Sequence, residues 1–180
     1  MPSPDPIERV FADVGSEESH RQLFVLIYGE LKDRAKRILA NHNNPSLSAT
    51  ALVHEAYLKL ASNKIATESK QHFYLLAARA MRQIMVDHAR HRLYQKRDKR
   101  LQVSLDGELQ QDSAILPELI STDLALEHLK QEDPDLVDLV HLHFFGGLSF
   151  SEIAEMQGVS LSTVERKWRT ARTLLRAYMD

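Results

Sequence analysis

The sequence predicts an all-α protein: two small helical domains joined by an acidic, flexible linker, the second domain a helix-turn-helix. Three observations carry this. Nearly every apolar periodicity has spacings of three and four, the helical signature. Residues 98–122 lose that period and carry acids instead. The last third of the chain contains a cap, a glycine and a second cap in the order two short-linked helices require. The expected boundaries are 1–97 for the first domain, 98–122 for the linker and 123–180 for the second domain.

In the first helix Leu23, Phe24, Ile27, Tyr28, Leu31, Ala35 and Ile38 recur on one side. Asn41-His42-Asn43-Asn44-Pro45-Ser46 ends it, because Asn favours turns and Pro cannot continue a helix. Thr50 is the expected cap of the next helix, whose apolar side is Leu52, Val53, Ala56, Tyr57 and Leu60. After a polar loop around Ser62-Asn63-Lys64 comes the longest stripe: Phe73, Leu76, Ala77, Ala80, Met81, Ile84 and Met85. Three such stripes can bury one another. Val103-Ser104-Leu105-Asp106-Gly107 and Ile115-Leu116-Pro117 read as extended connector, and Asp123 opens the second domain. Asp133-Pro134-Asp135 is a helix start, with Asp at the N-cap, Pro at N1 and a further acid at the positive end of the dipole. Gly146-Gly147 ends that helix.

The sharpest pattern runs from Leu148 to Arg166. Ser149 and Glu152 can form a capping box, and Ile153, Ala154 and Met156 give a short helix its buried side. Gly158 can turn left-handed, Val159 is expected to plug the core, and Ser160 can cap the next helix. Val164, Trp168, Ala171 and Leu175 then face inward, leaving Ser162, Thr163, Glu165, Arg166, Arg169 and Arg172 outward. Such a helix can lie in a DNA major groove, its first residues meeting base edges and its later arginines meeting phosphates.

Charge supports a polyanion partner. The formal net charge of the 180 residues is −2, but residues 79–100 hold eight bases against two acids. Residues 101–135 hold nine acids against Lys130 alone, and residues 160–176 hold five bases against Glu165. Two cationic helices around an acidic spacer suggest two nucleic-acid contacts. There are no cysteines, which excludes disulfides, thiolate zinc sites and a cysteine nucleophile. No apolar run approaches the ~20 residues of a membrane span, and Met1-Pro2-Ser3-Pro4-Asp5-Pro6 lacks the pattern of a signal peptide. The expectation is a cytoplasmic protein with no membrane insertion.

The stretches Thr50–Leu60 and Phe73–Arg90 closely resemble region two of bacterial sigma factors of the extracytoplasmic-function (ECF) type, and Gly147–Arg172 is similar to region four. The resemblance covers nearly the whole chain in the family's order. It implies a subunit that binds core RNA polymerase, recognises promoter DNA and helps open the −10 element, with an anti-sigma factor as a candidate further partner. Carried over by position, it implies that Leu52, Val53, Glu55, Tyr57 and Leu58 dock on the polymerase clamp. Asn63 and Lys64, in the base-capturing loop, and Arg79, Arg82, Gln83, Asp87, Arg90 and His91 fall at −10 positions. Ser160, Ser162, Thr163, Glu165, Arg166, Arg169 and Arg172 fall at −35 positions. The chain departs from many members on the docking helix, where Ala51 and His54 replace an acid and a glutamine. The resemblance also puts the linker near the polymerase's RNA path, where Asp106, Glu108 and Asp112 would mimic a nucleic-acid strand.

Other chemistry is poorly supported. His88 and His91, with Asp87, are three apart on a helix, and His141 and His143 point different ways, so spacing fixes no third ligand. His54-Glu55 lacks the second histidine of a zinc-protease motif, since Leu58 stands there. No phosphate-binding glycine loop or nucleophile elbow is present. The expectation is neither a cofactor nor an enzyme. The competing reading is a stand-alone helix-turn-helix regulator whose N-terminal helices sense a ligand or dimerise.

Overall fold

A computed structural model describes the backbone of residues 17–41, 47–62, 69–102 and 115–179. Among these residues the chain is all-α. Helix α1 spans Glu17–Asn41, α2 Ala49–Ser62, α3 Lys70–Gln102, α4 Ile115–Glu132, α5 Pro134–Val140, α6 Phe150–Gln157 and α7 Leu161–Met179.

The first three helices form a bundle, α2 packing on both α1 and α3. Ile27, Leu31, Ala35 and Ile38 of α1 meet Leu52, Val53 and Ala56 of α2 and Phe73, Ala77, Met81, Ile84 and Met85 of α3 in the core. Serines start both later helices. The Ser48 hydroxyl accepts from Ala51 N at 3.1 Å, and the Ser69 hydroxyl accepts from His72 N at 3.1 Å. Ser48 therefore caps α2 in place of the expected Thr50, which sits inside the first turn.

Helix also occupies both described ends of the expected linker, in place of extended chain. Residues 98–102 continue α3, and residues 115–122 form the first turns of α4. Lys96–Gln102 is a run of good helix formers apart from Asp98, so propensity sustains the helix past its apolar stripe. Pro117 sits in the first turn of α4, where no intrahelical bond needs its missing N–H. Asp123 thus lies mid-helix. Residues 103–114, with Asp106, Glu108 and Asp112, lie outside the described residues.

Asp133 caps α5 as expected, accepting from Asp135 N and Leu136 N. After Val140 the helix widens: Gly146 N donates to His141 O at 2.7 Å, a five-residue step, over His141–Phe145. This turn packs against α3. A Cβ on Gly146 would stand 2.6 Å from Leu142 O and 3.2 Å from Ala78 Cβ, so only glycine lets the turn approach that closely. The core is consequently continuous from the bundle through Leu142, Phe145 and Leu148 to Ile153, Val164, Ala171 and Leu175 of the last two helices.

Phe145 is fully buried at the centre of this junction. Phe145→Ala is expected to lower unfolding free energy in urea by about 3–5 kcal/mol. A loss below about 1 kcal/mol would mean that the turn does not pack on the bundle.

Candidate nucleic-acid interface

The helix-turn-helix is built from caps. Ser149 N donates to Glu152 Oε2 at 2.7 Å, and Glu152 N donates back to Ser149 Oγ at 3.2 Å. Helix α6 ends at Gly158, whose φ of 64° is left-handed; Val159 N donates to Ala154 O and Gly158 N to Glu155 O. Ser160 Oγ then accepts from Thr163 N at 3.2 Å to start α7. Val164, Ala171 and Leu175 anchor α7 on its buried side. Trp168 packs edge-on to the His143 ring at 4.6 Å, and His143 also faces Phe150 at 4.2 Å, tying both helices to the widened turn. Val159 is a correction: it is 38 % exposed, because the left-handed glycine carries it out of the core it was expected to plug.

The outer face of α7 matches the sequence pattern. Ser160, Ser162, Glu165, Arg166, Arg169 and Arg172 are exposed, and Thr163 is half-buried. The Ser160 hydroxyl is 3.0 Å from that of Ser162 and 2.8 Å from that of Thr163, so these side chains share one capping network. Arg166, Arg169 and Arg172 make no ion pair among the described residues. They are available to an anion.

Helix α3 presents the second cationic row, and it is occupied. Arg79 reaches Asp138 of α5 at 2.7 Å. Arg82 donates from Nε to Asp123 Oδ1 at 2.8 Å, from Nη2 to Glu127 Oε1 at 2.9 Å and from Nη1 to His141 Nε2 at 3.0 Å. Arg90 reaches Asp123 Oδ2 at 3.0 Å. Arg82 and Asp123 are 13 % and 14 % exposed, so this pair is largely out of water. Gln83, Asp87 and His91 are exposed on the same helix. Asn63 and Lys64 lie outside the described residues.

Two further features fix this arrangement. Burial, reinforced by the charges of Arg82 and Arg79, lowers the His141 pKa from 6.5 to about 3. The ring is therefore neutral and can accept from Arg82. At the other end of the junction Arg34 of α1, 3 % exposed, donates to Gly147 O at 3.1 Å, to Glu152 Oε1 at 2.8 Å and to Glu30. Its guanidinium also lies over the Tyr74 ring, 5.3 Å from the centroid. Burial raises the Glu152 carboxyl, but Arg34 and Ser149 outweigh it and hold the pKa at about 2.

Helix α2 divides the docking set. Leu52 and Val53 are 0 % and 1 % exposed and lie in the core; an apolar stripe read from sequence does not separate core from docking positions. Glu55 is exposed, Tyr57 half-buried against Phe24 at 4.1 Å, and Leu58 63 % exposed. Val25 and Leu26 of α1 add exposed apolar surface that the helical periodicity missed, because they fall off its stripe. Sequence reasoning also missed Asp123, Glu127, Asp138 and His141 as partners of α3. The visible signal was the acidic run following the basic one.

A protein-family model described as ECF sigma factor matches residues 10–180. No match is found among curated proteins. No helix among the described residues is long and apolar enough to cross a membrane.

His141 supplies a pH test. Its folded pKa lies below the unfolded value, so between these values the unfolded chain binds more protons and stability falls with falling pH. The loss begins near pH 6.5 and continues towards about 3. It approaches about 1.4 kcal/mol per pH unit for one site. His141→Gln is expected to flatten the stability profile between about pH 6.5 and 5, above the range where carboxylates dominate; an unchanged slope in urea titrations would contradict a buried neutral ring.

Proposed function

The chain belongs to the ECF sigma factor family, and from that premise we propose how its two cationic helices divide the work. As a sigma factor it directs RNA polymerase to promoters. In our reading α7 selects the −35 element, α3 and the loop before it engage and help open the −10 element, and α2 docks on the polymerase. The observation that carries this is the exposed row of α7. A capped, glycine-turned helix pair holds Ser162, Glu165, Arg166, Arg169 and Arg172 outward while Val164, Ala171 and Leu175 are buried.

The physics of each step is simple. Arg166, near the N-terminus of α7, can hold guanine O6 and N7 with two hydrogen bonds, worth about 1–3 kcal/mol of discrimination. Arg169 and Arg172, one and two turns on, suit phosphates. Arginines on α3 neutralise backbone charge, and capture of an unstacked base in the loop offsets a few kcal/mol of unstacking. Strand opening then draws on binding energy, and the chain itself needs no catalytic group or cofactor. Docking rests on the exposed Leu58, Glu55 and the accessible edge of Tyr57, with Leu52 and Val53 holding the helix in place from below. The reading places the protein in the cytoplasm, where polymerase and promoter are, and leaves room for an anti-sigma factor.

Run-off transcription from a fragmented genomic library with core polymerase tests the whole reading. Discrete new start sites that depend on this chain are expected, and Leu58→Asp should abolish both these and polymerase pull-down while helical CD is retained. Tight operator binding by the isolated chain as a dimer, with no effect on transcription start sites, would instead identify a stand-alone regulator.

On the mapped promoters, Arg166→Ala should relax preference at one −35 base pair by about 1–3 kcal/mol. Arg172→Ala should weaken all sequences alike and reduce the salt slope by about 1. Equal loss on every sequence from Arg166→Ala would remove the base-reading role.

A further inference from the structure

We infer that Leu161, the first residue of α7, reads the C5-methyl group of a thymine in the −35 element. The inference deepens the reading of α7 as the −35 helix and rests on it. It makes one position of the element a T·A pair, chosen by apolar contact, close to the guanine assigned to Arg166.

The start of α7 carries this. Leu161 directly follows the capping residue Ser160 and is 43 % exposed. At about 100° per residue, the first five outward positions spread across the helix in the order Leu161, Glu165, Ser162, Arg166. Leu161 therefore forms one flank of the base-facing end and Arg166 the other. Val159, two residues earlier, is exposed as well, and a Cβ added to Gly158 would meet nothing within 4 Å. Among the described residues, then, this tip of the helix pair is apolar and uncovered, although it is the part of a recognition helix that goes deepest into the groove.

The major groove offers a leucine one matching feature, the thymine methyl. The other base edges there are hydrogen-bond donors and acceptors: N4 of cytosine, N7 and O6 of guanine, N7 and N6 of adenine. Leucine pressed against any of these would displace water without replacing its hydrogen bonds, which costs free energy. The contact thus favours thymine and disfavours the alternatives at the same position. Leu161 and Arg166 are five residues apart, about 7.5 Å along the helix. Base pairs stack at about 3.4 Å, so the thymine should fall within about three pairs of the guanine.

The test uses holoenzyme assembled from the full chain and core polymerase. Deoxyuridine pairs with adenine as thymine does and lacks only the methyl. A mapped promoter competes for holoenzyme with versions in which each −35 thymine, on either strand, is replaced in turn by deoxyuridine. One replacement, within about three pairs of the guanine, should weaken binding about fourfold, the effect of one buried methyl. Leu161→Ala should weaken binding to the unmodified promoter by a similar factor and abolish the difference between thymine and deoxyuridine at that position. Leu161→Met, still apolar and long enough to reach, should retain it. Both variants change an exposed side chain, so helical CD should be unaltered. Indifference to deoxyuridine at every −35 position, a −35 element without thymine, or a methyl preference that survives in Leu161→Ala would each overturn the inference. Failure of the sigma-factor reading shows separately, as the absence of start sites that depend on this chain.

Discussion

The guanidinium of Arg82 must always have an anion. It is 13 % exposed, too deeply placed for water to solvate it alone, and burying a cation without a partner costs several kcal/mol. In this arrangement Asp123, Glu127 and the neutral ring of His141 surround it. That single requirement links α3 to α4 and to the widened turn after α5, and so links the two halves of the chain. Arg34 repeats the logic at the far end of the junction, where it ties α1 to Gly147 and Glu152. Both ionic anchors flank the apolar packing of Leu142, Phe145 and Leu148, so charge pairing and burial hold the junction together.

The same junction explains why the helix-turn-helix is rigid. Glu152 closes the capping box of α6 and receives Arg34, so one carboxylate both starts a helix and fixes it to the bundle. Gly146 allows the turn onto Ala78, and the His143, Phe150 and Trp168 rings lock α6 and α7 around it. A recognition helix needs such support, since misplacement of its first turn would misalign every base contact. In the sigma-factor reading, selection is made by a preformed surface.

Much of this was legible in the sequence because it depends on local rules. The helical periods, the Asp133-Pro134 start, the Ser149–Glu152 box and the Gly158 turn all act within a few residues, and each appears where its pattern stands. The outward row of α7 follows from the same periodicity. What failed to show was non-local or balanced between two outcomes. Leu52 and Val53 share the apolar stripe with Leu58, and only packing reveals that the first two are core and the third is exposed. Ser48 and Thr50 are both competent caps, and the chain uses the earlier one. The acids of residues 118–138 look like a spacer in one dimension; folding brings them across α3, where their charge complements its arginines.

The claim that α3 carries the −10 contact can be tested by one crosslinking measurement. A benzophenone amino acid at the exposed Gln83 position, between Arg82 and the start of the next turn, reports what covers that face. In the free chain it is expected to crosslink within the chain, to peptides covering residues 123–141. In the complex with core polymerase and an opened promoter it is expected to crosslink to DNA near the −10 element. Persistence of the internal crosslink in the transcription-competent complex, with no DNA adduct, would contradict the account.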